Sequence, residues 1–109
     1  MKNLAYKIQR KYGLLMFFDF HGHSRKKNTF FYGPGYTLSD AEYYKSRALA
    51  KIIEKINNSF RYYSCSFMIS DDKKKTARAV LFEQVRIPYT FTIESSIGLF
   101  YDVNLLKTR

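Results

Sequence analysis

An α/β fold is predicted for this 109-residue chain, on two observations. An apolar run of strand length occurs at Leu14–Phe20 and a strictly alternating one at Tyr89–Glu94. Between them lie segments whose apolar residues recur every three or four positions, the spacing of an amphipathic helix. Strands alternating with helices build a sheet with helices packed on it. Hydrophobic residues make up 46% and aromatic residues 18% of the chain, which excludes a disordered tail, and the length admits one domain.

Each element has its own signal. Leu4, Ile8 and Tyr12 lie four apart and predict a short helix over residues 2–12, ended by Gly13. Leu14 to Phe20 is apolar throughout except for Asp19, and its length and aromatic content predict a buried strand. His21 to Asn28 combines Gly22, Ser24 and the cations Arg25, Lys26 and Lys27, which predicts a loop. Thr29–Tyr32 suits a short extended piece, and Gly33-Pro34-Gly35 a turn. Ser39-Asp40-Ala41-Glu42 has capping-box spacing and predicts a helix from Ser39, with Ala41, Tyr44, Ala48, Ile52 and Ile56 on one face and Asn57-Asn58 at its end. Phe60 to Ile69, rich in aromatics, reads as a strand, and Ser70 to Lys75 as a charged loop. Thr76 to Arg86 reads as a short helix stopped before Pro88. Tyr89 to Glu94 alternates strictly, with Tyr89, Phe91 and Ile93 on one face and Thr90, Thr92 and Glu94 on the other.

The formal charge of +10 implies an acidic partner: nucleic acid, an anionic membrane, or an acidic protein tail. Charge alone does not choose between these and a merely solvated basic face. No run approaches the ~18 apolar residues of a membrane span. The first residues lack the apolar stretch of a secretory signal. A single cysteine, Cys65, cannot form an internal disulfide and fits a reducing compartment, so a cytoplasmic protein is expected.

Three groups could carry chemistry. His21 and His23 flank Gly22 at the end of an apolar strand, where ligands of α/β sheets gather and an imidazole can bind a metal; a structural histidine in a basic loop is the plainer alternative. Glu94 ends the alternating strand and could act as a general base, or simply face water or a lysine. Arg78, in Lys73-Lys74-Lys75-Thr76-Ala77-Arg78, could grip a carboxylate through two parallel hydrogen bonds. The Lys73–Lys75 run itself reads as solvated surface. No phosphate-binding Gly-rich loop, serine-nucleophile elbow, paired-cysteine motif or His-Glu-x-x-His is present, and no His-x-x-Glu occurs.

Phe18-Asp19-Phe20-His21-Gly22-His23-Ser24-Arg25-Lys26-Lys27-Asn28, followed by Phe31-Tyr32-Gly33, resembles the signature of the cytosolic carboxypeptidases, a branch of the zinc metallocarboxypeptidases related to carboxypeptidase A. Cys65-Ser66-Phe67, Lys75-Thr76-Ala77-Arg78-Ala79-Val80 and Tyr89-Thr90-Phe91-Thr92-Ile93-Glu94-Ser95-Ser96 follow in the family's order. The resemblance covers about residues 13–98. It implies that residues 1–109 are a partial, mixed-sheet α/β carboxypeptidase domain with helices packed on the sheet.

The family holds one catalytic zinc ion through two histidines and a glutamate, the ligand set of carboxypeptidase A. By resemblance His21 is the last of those ligands and Glu94 the base that deprotonates the attacking water. His23 would then shape the site rather than bind the metal. Arg78 is the candidate for meeting an acidic substrate side chain, although on a short helix it could instead face water. This branch removes glutamates from acidic protein tails, notably those of tubulin, and a basic chain suits such a partner.

The chain departs from the family too. The His-x-x-Glu ligand pair and the Asn and Arg that grip the terminal carboxylate lie upstream in the family and have no match here. The expectation is therefore the C-terminal part of a catalytic domain, inactive as an isolated chain. The rival expectation is a small basic, aromatic-rich module that binds nucleic acid by stacking and phosphate contact, although no recognised nucleic-acid motif is present.

Overall fold

The computed structural model describes residues 1–25 and 27–96. The elements run α1 Lys2–Tyr12, β1 Met16–His23, β2 Thr29–Tyr32, α2 Tyr43–Ile56, α3 Ala77–Glu83 and β3 Tyr89–Ser96, with 3₁₀ turns at Tyr62–Ser64 and Asp71–Lys73. The result is a mixed α/β structure, as expected. The strands form one three-stranded sheet in the order β1-β3-β2, with β3 parallel to β1 and antiparallel to β2. Among the described residues the last strand in sequence thus sits in the middle, and both of its faces are covered.

The strict alternation of β3 explains the two layers. Phe91 joins Phe31, Phe60, Phe67 and Ala50 in one core cluster, against which Leu49 and Ile53 of α2 pack. On the opposite side Leu81, Val85 and Ile87 form a second cluster, completed by Ala5 of α1 and by Leu14 and Phe17. Burial of these side chains is the main stabilising term, and Phe30, Phe60 and Phe91 are among the largest that are fully buried. Helix α1 ends at Gly13, whose φ of 73° is the left-handed conformation that glycine adopts without strain. Helix α3 starts at Thr76, whose hydroxyl accepts a hydrogen bond from the amide of Ala79.

Several expectations are corrected. β1 extends to His23, so His21-Gly22-His23 is strand and not loop. It is an edge strand, and Phe18 and Phe20 are 38% and 76% exposed, where a buried strand was expected. An apolar run signals a strand but does not say whether a neighbour covers it.

Helix α2 begins at Tyr43, not Ser39, and the capping box does not form. The Asp40 carboxylate instead accepts from the Thr37 amide at 2.7 Å, closing a turn, while Glu42 accepts the Tyr89 hydroxyl. The helix also turns a different face inward. Ser46 and Ala50 are buried with Leu49 and Ile53 beside them, whereas Tyr44, Ala48, Ile52 and Ile56 are exposed. On α1, likewise, Leu4 and Tyr12 are exposed and Ala5, Ile8 and Gln9 are half-buried.

Phe60–Ile69 is not a strand. Its backbone pairs with β2 through isolated bridges, Thr29 to Phe60 and Tyr32 to Ser66, because the Tyr62–Ser64 turn breaks its run. Helix α3 stops at Glu83, and Arg86 reverses the chain with a φ of 65° before β3 begins.

Candidate active site

The pairing of β1 with β3 sets the site. Their parallel register places Asp19 opposite Thr92 and His21 opposite Glu94. Directly opposed residues share a sheet face, and neighbouring strands lie about 4.8 Å apart. Residues two apart on one strand also share a face, so Asp19, His21, Thr92 and Glu94 form one cross-strand patch. Tyr32 of β2, opposite Thr92, extends it. The start of α3 roofs this patch, with Thr76, Ala77 and Arg78 closing over it and Lys73 at the rim.

Between sheet and helix lies a cavity of about 260 Å³. All three residues singled out from the sequence, His21, Glu94 and Arg78, line it. A larger hollow of about 560 Å³, lined by Tyr36, Phe82 and Pro88 among others, contains none of them.

His21 projects from the edge strand with its side chain half exposed, and its Nε2 lies 2.9 Å from the Asp19 carboxylate. A neighbouring carboxylate orients an imidazole and selects which nitrogen carries the proton. Glu94 is 8% exposed, and its carboxylate has no hydrogen-bond or ion-pair partner among the described residues. A nearly buried carboxylate aimed into a cavity, with nothing to satisfy it, is placed to meet a water or a substrate proton.

Arg78 is 3% exposed and does not face water. Its guanidinium donates to the carbonyl of Gly33 and, at 3.4 Å, to that of Met68, and it lies 5.6 Å from the Tyr32 ring centre. Burial pulls its pKa below the usual range, while Tyr32 acts in the opposite sense. It remains charged, as arginines do. No carboxylate of the described residues lies within ion-pair distance of it. The cavity therefore has a cation anchored by neutral carbonyls on one wall and a carboxylate with imidazole on the other.

His23 stands outside the cavity lining. Its Nδ1 accepts the Arg25 amide at 3.0 Å and its ring meets Phe30 edge-on, so it supports the end of β1. The Cys65 sulfur accepts the Phe31 amide at 3.2 Å and ties the 60–69 segment to β2, a structural role. Tyr32 and Thr92 were not singled out from the sequence as site residues, and Asp19, although next to the candidate histidines, was given no role of its own. Asp19 was visible as the one charge interrupting an apolar run, two residues before His21; the place of Tyr32 depends on sheet order and had no local signal. Lys73, read as solvated surface, is exposed yet stands at the cavity rim.

Zinc requires three protein donors in a catalytic site. Among the described residues no group of three His, Cys, Asp or Glu side chains could hold a metal ion. His21 offers one imidazole on an open sheet edge, and the residues present do not make a zinc site by themselves. Also among the described residues, no helix is long and apolar enough to cross a membrane.

No protein-family model matches the chain. Curated relatives do. Cytosolic carboxypeptidase 4 of Mus musculus is 36% identical over 96 residues, covering 77% of this chain and 9% of the relative. Cytosolic carboxypeptidase 1 of Xenopus laevis is 34% identical over 95 residues, covering 76% and 8%. Cytosolic carboxypeptidase 2 of Macaca fascicularis is 30% identical over 99 residues, covering 89% and 11%. The chain spans about a tenth of the length of the curated relatives it matches.

Proposed function

From a chain related over most of its length to a short stretch of the cytosolic carboxypeptidases, we propose that it carries one part of a zinc metallocarboxypeptidase catalytic domain, the part represented by residues 13–98. The observation that supports this is the meeting of His21, Glu94 and Arg78 in one cavity, although β1 and β3 are far apart in sequence. His21 contributes one metal ligand, with Asp19 fixing its ring. Glu94 is the general base: it takes the proton of the attacking water, which adds to the last peptide carbonyl. Arg78 receives the acidic side chain of the residue removed, a glutamate, because a buried cation with no carboxylate partner among the described residues discriminates strongly for an anion.

The substrates in this reading are acidic C-terminal tails such as those of tubulin, drawn by the +10 charge, and the protein is cytoplasmic. The remaining metal ligands and the clamp for the terminal carboxylate come from polypeptide outside this sequence. Residues 1–109 alone then neither bind zinc tightly nor cleave peptides. The alternative reading, nucleic-acid binding by base stacking, would have to use exposed aromatics such as Tyr12, Phe20 and Tyr63, since Phe30, Phe31, Phe60, Phe67 and Phe91 are buried.

The test is a chimera in which residues 13–98 replace the matched segment of the Mus musculus relative. The expected result is hydrolysis of a peptide ending in glutamates, abolished by Glu94→Gln and by His21→Ala, with Arg78→Met shifting preference away from glutamate. A chimera that melts cooperatively yet shows no turnover refutes the reading. Zinc-dependent turnover by residues 1–109 alone refutes the claim that the site is incomplete.

A further inference from the structure

Helix α2 carries two apolar faces, and only one is used. Ser46, Leu49, Ala50 and Ile53 face the body. Tyr44, Ile52 and Ile56, at eight- and four-residue spacing, form an exposed strip that winds from the outer side of the helix at Tyr44 to its flank at Ile56, and they are 71%, 57% and 80% exposed. Scattered exposed apolar residues are ordinary, but a stripe aligned along one helix marks a contact surface. The patch continues onto the neighbouring 3₁₀ turn, where Tyr63 is 91% exposed and Lys51 of α2 lies 5.1 Å from its ring centre.

The charges on this helix are sorted. Its acidic side chains bind the protein's own groups: Glu42 accepts the Tyr89 hydroxyl and Glu54 accepts the Tyr62 amide at 2.6 Å. The outer face carries Lys45, Lys51 and Lys55; among the described residues only Lys45 has an acidic neighbour, Glu42 at 3.3 Å, and Lys51 lies over the Tyr62 ring at 4.0 Å. Cations set among exposed apolar side chains select a partner that is both apolar and acidic. A second copy of the chain fits poorly, because it would bring the same lysines and a further +10 to the contact. A plain polyglutamate tail would satisfy the lysines and leave the apolar stripe uncovered.

We propose that the outer face of α2 docks an amphipathic acidic helix of a partner protein, its apolar stripe on Tyr44, Ile52 and Ile56 and its carboxylates on Lys51 and Lys55. This surface lies on the sheet face opposite the candidate active site. Helix-on-helix contact through residues four apart is a common packing mode.

The test uses the whole chain and a synthetic helical peptide of about 18 residues, long enough to form a helix. The peptide carries leucines three and four apart, flanked by glutamates. A scrambled peptide of the same composition, a version with lysines for glutamates, and vesicles of phosphatidylserine and phosphatidylcholine serve as comparisons. The expected result is saturable binding of the first peptide only. Ile52→Glu and Ile56→Glu should weaken it by at least about tenfold, a 1.4 kcal/mol effect. Lys51→Gln, in the middle of α2 and away from its charged end, should weaken it several-fold with little change in melting temperature, which keeps the test valid if an isoleucine variant fails to fold. Equal binding of the scrambled peptide would reduce the effect to charge and overturn the proposal. So would binding unchanged in the variants, no binding at all, or binding of the vesicles in place of the peptide.

Discussion

Replacing Arg78 with methionine separates a structural arginine from one kept for a ligand. The substitution conserves much of the volume and removes the charge. Against it stands one charge-assisted hydrogen bond to the Gly33 carbonyl, of about 1.5–3 kcal/mol. The 3.4 Å contact with the Met68 carbonyl is at the weak limit of a hydrogen bond, and the Tyr32 ring at 5.6 Å contributes about 0.5–1 kcal/mol. For it stands relief from burying a cation that is 3% exposed and has no carboxylate partner among the described residues, a penalty of several kcal/mol. The terms nearly cancel, so Arg78→Met is expected to leave stability within about 1 kcal/mol or to raise it by up to about 2 kcal/mol. Urea unfolding at neutral pH, followed by far-ultraviolet circular dichroism, gives the value. A loss of more than about 3 kcal/mol would show that the guanidinium is a structural tie, and the argument for an anion-binding arginine would fail.

Two further outcomes follow from other contacts. Gly33→Ala should destabilise by about 1–3 kcal/mol, because its Cβ would sit 2.5 Å from Phe67 Cδ1 within the core; an unchanged melting temperature would show that the Phe67 ring yields. The hydrogen bond to Glu42 pushes Tyr89 up to about 12, so its contribution to stability is whole below the ordinary phenol value near 10 and fades as pH climbs towards 12. The same bond holds the Glu42 carboxyl below its usual range, so that contribution is present above pH about 4.5 and is lost as acid protonates the folded form. Tyr89→Phe should flatten both limbs of a melting-temperature profile, and titration of phenolate absorbance should lose one late-titrating tyrosine; a profile identical to the parent's would refute the coupling.

The candidate site was legible to an unusual extent because its residues sit in a local pattern. His21 and Glu94 each lie towards the carboxyl end of a strand recognisable from its own composition, and parallel pairing then brings them side by side. The resemblance named the same residues, and the structure independently collected them with Arg78 in one cavity. What could not be read was the environment. Nothing local announces that Arg78 is buried, since that follows from α3 folding its first turn onto the Gly33 carbonyl. Tyr32 entered the cavity lining only because β2 pairs with the other edge of β3.

By itself the sequence determined the α/β class, the extent of α1, the alternation of β3 and the turn residues that separate elements, because these follow from periodicity and from the backbone preferences of glycine and proline. The tertiary structure decided which of two apolar stripes on α2 faces inward, since both Tyr44-Ala48-Ile52-Ile56 and Ser46-Leu49-Ala50-Ile53 satisfy a helical period. It decided that Asp40 closes a turn with Thr37 instead of capping a helix, because Glu42 is drawn to the Tyr89 hydroxyl on the distant β3. It also decided that β1 is an exposed edge and β3 the buried centre, for strand order is set by long-range pairing that no short window of residues encodes.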